Sequence, residues 1–104
     1  MHIHTQKAMA DVTITPGHAG PVAVAIMLMT GDFGPLDAKG LTVVFSNAAA
    51  GIEGVKREAH KGPDAIWRVD DLNLPVAGRW QVRLDILVSD FELVKITDAI
   101  DIRR

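Results

Sequence analysis

Residues 74–92 read LPVAGRWQVRLDILVSDFE, and this stretch decides the fold. Leu74-Pro75-Val76-Ala77-Gly78 is a turn. Beyond it Trp80, Val82, Leu84, Ile86 and Val88 alternate with Arg79, Gln81, Arg83 and Asp85. A period of two means a strand with one buried face and one wet face. No helix buries its apolar residues in that pattern.

Working outward, Gly, Pro, Asp and Asn punctuate the chain about every ten residues, the rhythm of a β-sandwich. A first strand is expected over about Met1–Thr5 and a second over Ala8–Thr15. Ala8, Ala10, Val12 and Ile14 lie on one face of the second, and Met9, Asp11, Thr13 and Thr15 on the other. Pro16–Gly20 is a turn, Pro21–Thr30 a third strand and Gly31–Pro35 a loop. A fourth strand covers about Lys39–Ser46, with Leu41, Val43 and Phe45 inward. Asn47–Gly54 is a connection of small residues, with room for one short helical turn. Val55–His60 and Ala65–Val69 read as a hairpin closed by Lys61-Gly62-Pro63-Asp64. Trp80–Val88 is the seventh strand, and Phe91–Ile102 supplies one or two more, bent near Asp98. The expected fold is all-β, an immunoglobulin-like β-sandwich of about seven to eight strands, in one domain over residues 1–104.

At 104 residues the chain makes one domain that buries roughly two-thirds of its unfolded surface. The net charge of −2 and the lack of a basic stripe interleaved with aromatics argue against nucleic acid as a partner. With no cysteine, disulfides, zinc–thiolate sites and cysteine nucleophiles are excluded. Residues 1–5, MHIHT, have neither a basic leader nor an apolar core, and the apolar run Val22–Met29 is too short to span a bilayer. A strand starting directly after Met1 suggests a domain excised from a longer protein.

Enzyme motifs are absent: no nucleophile elbow, P-loop, dinucleotide fingerprint or HExxH occurs. Asp70-Asp71 reads as the cap of the turn before Leu72, so no catalytic role is assigned. The chemistry that remains is metal ligation. His2 and His4 project to one side of a strand, about 7 Å apart along it. Two imidazoles so placed are able to converge on copper, zinc or nickel. His18, in the turn before the third strand, is a further candidate should that loop fold beside the N-terminus. His60 stands among Lys56, Arg57 and Lys61, which disfavours a cation there.

The third strand departs from simple alternation. Opposite Val22, Val24, Ile26 and Leu28 it carries Ala23, Ala25, Met27 and Met29, which are not polar either. Either this strand is central and covered on both sides, or the methionines fill gaps under a loop, or they form an exposed thioether pair for a soft metal or a partner. Met9 could add a third thioether. A backbone running straight from His2 to Ile14 turns it away from both histidines, so only a bend or bulge around Thr5–Lys7 unites them.

Several pieces together resemble a family. They are His2-Ile-His-Thr, then Lys7-Ala-Met-Ala-Asp-Val-Thr-Ile-Thr-Pro-Gly, Pro35-Leu-Asp-Ala-Lys, Trp67, and Leu74-Pro-Val-Ala-Gly-Arg-Trp-Gln-Val-Arg-Leu-Asp-Ile-Leu-Val-Ser-Asp-Phe. In that order they resemble the soluble C-terminal domain of bacterial copper-resistance and copper-import membrane proteins of the CopD/YcnJ type, with FixH-like and YtkA-like sandwiches as wider relatives. The resemblance implies a domain on the outer side of the cytoplasmic membrane, tethered to it in the full-length protein. It also implies copper handling, with His2 and His4 matching an N-terminal histidine feature; copper is expected to bind weakly at that edge, with Met27, Met29 or His18 as helpers offered by the residues themselves. The implied partners are the membrane-spanning part of the parent protein or another envelope protein. A rival expectation is an assembly module that docks through the Ala23/Ala25/Met27/Met29 face, with no metal role.

Overall fold

The computed structural model describes residues 2–4, 8–30, 36 and 38–103. Among them are nine strands: β1 His2–His4, β2 Ala8–Thr15, β3 Gly20–Thr30, β4 Gly40–Asn47, β5 Ile52–Glu58, β6 His60–Lys61, β7 Trp67–Leu74, β8 Gly78–Ser89 and β9 Glu92–Ile102. They form two antiparallel sheets, one ordered β1-β2-β3-β7-β6 and the other β5-β4-β8-β9. In the immunoglobulin lettering, β2-β3-β7-β6 is the A-B-E-D sheet, and β4-β8-β9 is C-F-G with β5 added beside C. The β-sandwich read from the alternation is therefore the fold. A radius of gyration of 13.2 Å is that of one packed unit of this length, for which about 13 Å is usual.

The core lies between the inner faces. From β8 come Trp80, Val82, Leu84 and Ile86, and from β4 Leu41, Val43 and Phe45. The other sheet meets them with Val12, Val24, Ile26, Trp67, Val69, Leu72 and Leu74. Trp80 is wholly buried, and its Nε1–H donates to the Val76 carbonyl oxygen at 3.0 Å. The turn that opens residues 74–92 thus supplies the polar partner of the largest core side chain. Gly78 ends that turn at φ 129°, a region that disfavours side chains. A Cβ there would stand 3.6 Å from Asn47 Nδ2. Asn47 closes the inner face of β4 and is buried; its side-chain oxygen accepts from the Ala50 amide at 3.2 Å, capping a short 3-10 turn at Ala48–Ala50.

Two expectations need correction. Residues 55–60 and 65–69 are not one hairpin. β5 pairs with β4 in the second sheet, and only His60–Lys61 pairs with β7. The reason is Ala59, which is buried and donates its amide to the Leu41 carbonyl, so the chain changes sheets there. Asp70-Asp71 does not cap a turn; it lies inside β7. Val22 faces Leu72 and Val24 faces Val69, so Asp70 and Asp71 together oppose Ala23. That β-bulge restores phase, letting Val69 and Leu72 both point inward although three residues separate them. Of the one or two strands expected over Phe91–Ile102 there is one, Glu92–Ile102, whose register with β8 continues through Asp98. The expected Gly31–Pro35 loop lies outside the described residues.

The outer edge strand β5 carries a deterrent. Arg57 stands in register with the fully buried Val43, a core-facing position, while remaining exposed. Its guanidinium donates to the Lys56 carbonyl oxygen at 2.8 Å.

Candidate metal centre

The first sheet brings together what the linear reading separated. β1 and β2 run antiparallel; Thr5–Lys7, where only a bend or bulge would unite Met9 with the histidines, lie outside the described residues. Register sets His4 opposite Met9 and His2 opposite Asp11. The next strand continues both rows, with Met29 opposite Met9 and Met27 opposite Asp11. Residues opposite one another in an antiparallel ladder share a face. Ile3 is paired with the buried core residue Ala10, so these rows occupy the face turned away from the core. The result is a two-by-three lattice of positions: His4, Met9, Met29 above His2, Asp11, Met27.

Its dimensions follow from sheet geometry. Strands lie about 4.8 Å apart and alternate residues about 6.8 Å apart, so the six Cα positions fall within roughly 10 by 7 Å. The centre of any four neighbours is about 4 Å from each Cα in the plane of the sheet. A thioether side chain is long enough to cover such a distance to an ion near the centre of the lattice.

Burial grades across the lattice. Met27 is 47% exposed, Met29 is half-buried and Met9 is only 4% exposed. Met9 is among the buried apolar side chains, outside the contiguous cluster that Ala10 and Val12 join, and its register partner Met29 places it on the outer face. β3 is therefore central in its sheet but not covered on both sides, and Met27 is no core filler.

His18 is not part of this lattice. It is exposed at the far end of the β2–β3 hairpin, bridged in parallel to Arg103, with the Ala19 amide bonded to the Arg103 carbonyl. Thr15 alone is four residues, about 14 Å, beyond the Asp11 row, and His18 lies further on. The register puts Met9, the residue set aside on the assumption of a straight chain, in the place beside the histidines expected of His18, and sets Asp11 opposite His2. A pattern in the sequence signals both: in His-x-His and Met-x-Asp, paired positions sum to a constant, 4 with 9 and 2 with 11, as an antiparallel turn requires.

Among the described side chains, no three His, Asp, Glu or Cys groups converge as a cation cage would need. A second, shallow cleft is lined by Arg57, Glu58, His60, Val69 and Asp70. Its arginine and histidine make it a poor cation site. Nearby, Arg68 grips Asp64 through two bonds of 3.1 and 2.7 Å, which lowers the Asp64 carboxyl to about 2.

Comparison with protein-family models, with curated proteins and with solved structures gives no significant match in any of the three. The site's chemistry therefore has to speak through its own residues.

Proposed function

We propose that the domain binds copper on the outer face of β1–β2–β3 and serves as an extracytoplasmic accessory domain of a copper transport or resistance membrane protein. One observation carries the metal reading: two histidines, three methionines and an aspartate occupy adjoining register positions on a face the core does not use. Imidazole and thioether are both copper donors, and the combination suits no harder cation. The membrane context and the outer-side location rest on the resemblance of the His2–Thr5, Lys7–Gly17 and Leu74–Phe91 pieces to CopD/YcnJ-type domains. No bond is made or broken in this function; copper is received and passed on by ligand exchange.

The exposure of Met27, and of Ala23 further along the same face of β3, also favours the rival reading of a partner-docking face. Both readings meet one experiment. Backbone amide shifts are followed while copper is added to the chain, once as Cu(II) and once as Cu(I) under anaerobic reductant. Shifts concentrated in β1–β3, and lost in the His2→Ala/His4→Ala variant, are the expected result. Unmoved amides in β1–β3 at excess copper in both oxidation states would overturn the metal reading and leave the docking one.

A further inference from the structure

The lattice is not uniform, and its asymmetry speaks to which oxidation state it takes. Met9 and Met29 are directly paired across neighbouring strands, so their Cβ atoms lie about 5 Å apart on one face. Two thioethers so placed reach a common ion from two sides. Met9 is almost fully removed from water, Met29 half so, and Met27 stands open one row away. One nearly buried methionine, a half-buried one paired with it and an exposed one a row away grade from a drier end to a wetter one.

Resting on the copper reading above, we propose that the Met9–Met29 row, with His4 in register beside it, is a site selective for a soft monovalent d10 cation, Cu(I) or its analogue Ag(I). Met27 is its solvent-side landing point. Three considerations support the assignment. Thioethers select Cu(I) over harder ions, whereas Cu(II) prefers nitrogen and oxygen donors in a square plane. Burial discriminates in the same direction, since a doubly charged ion loses more on leaving water than a singly charged one. And the methionines interrupt a polar face: the remaining described positions on the outer face of β2 are Asp11, Thr13 and Thr15, while Met9 is buried beside its register partner Met29. The ion enters at Met27, moves about 7 Å to the Met29 row, and settles where water is excluded.

The test uses Ag(I), which has no redox chemistry of its own here, on the whole chain with 13C-labelled methionine methyl groups. The chain has four methionines, so each methyl signal is assigned by single substitution to leucine and followed separately. The Met9 and Met29 methyl signals are expected to move together and saturate at one equivalent. Met9→Leu/Met29→Leu, a change that conserves volume, is expected to weaken Ag(I) and Cu(I) binding at least about 100-fold, the upper end for losing a mere outer-shell partner, and to leave Cu(II) binding nearly unchanged. Should the double variant fail to fold, the methyl titration of the unaltered chain and the exposed Met27→Leu variant, expected to slow uptake, still decide. Cu(II) binding in β1–β3 with motionless Met9 and Met29 methyls overturns the soft-ion selectivity while sparing the copper reading. Silence toward both ions overturns both.

Discussion

Replacing Trp80 by phenylalanine tests the account of the core most directly. Trp80 is fully buried, and its indole N–H has the Val76 carbonyl as partner. The substitution removes two ring carbons from the core, at about 0.8 kcal/mol each, or roughly 1.6 kcal/mol in all. It also deletes a hydrogen bond with a net value of about 1 kcal/mol, leaving a part-buried carbonyl without it. The expected loss is about 2.5 kcal/mol before any residual cavity is counted. In a domain near 100 residues that corresponds to a drop in Tm of roughly 10–20 °C. Urea unfolding monitored by far-UV circular dichroism gives the free energy, and a thermal melt gives the Tm. The slope of the urea transition should be unchanged, because the fold and its exposed surface are the same. A loss below about 1 kcal/mol with that slope unchanged would refute the packing described for Trp80 and the link from the turn at 74–78 to the core.

Two further expectations concern single side chains. Asn47→Ala should cost about 1 kcal/mol through loss of the bond to the Ala50 amide, and Asn47→Asp should cost more because it buries a charge where Asn47 is 4% exposed; equal effects in urea melts would deny that the side chain is enclosed. For Asp64, bonding to Arg68 lowers its folded pKa from 3.8 to about 2. A depressed carboxyl adds stability above its unfolded pKa and loses it as pH falls through the folded one, so the contribution should fade between about pH 4 and pH 2. Melts of Asp64→Asn across that window should show a shallower acid limb than the unaltered chain, and more so at low salt; parallel limbs would mean the pair contributes nothing.

How much of this was legible beforehand varied with the range of the interaction concerned. Trp80, Val82, Leu84 and Ile86 announced a strand because alternation is local. So did Ala8–Thr15, whose limits were read as they stand in the fold. The partner of residues 52–58 was not legible. Nothing near Val55 says that it faces Phe45 rather than the strand beginning at Trp67, and the turn residues between His60 and Trp67 made the nearer pairing look complete. Asp70 and Asp71 failed for the opposite reason: a bulge breaks the period of two, and two adjacent acids then look like a turn. At the site, His2 and His4 were visible as a pair, but their neighbours depended on a reversal of the chain. A straight path sent Met9 to the wrong side and left His18 as the spare ligand; an antiparallel β1–β2 pair exchanges them.

The arginine at position 57 has a consequence for life at high concentration. β5 ends its sheet with unpaired backbone groups, and another molecule's strand could add itself there and begin a polymer. To do so it would have to seal a guanidinium, aligned with Val43, inside a growing stack of apolar layers. The molecule therefore carries its own brake on runaway stacking, and crowding should leave it monodisperse on that flank.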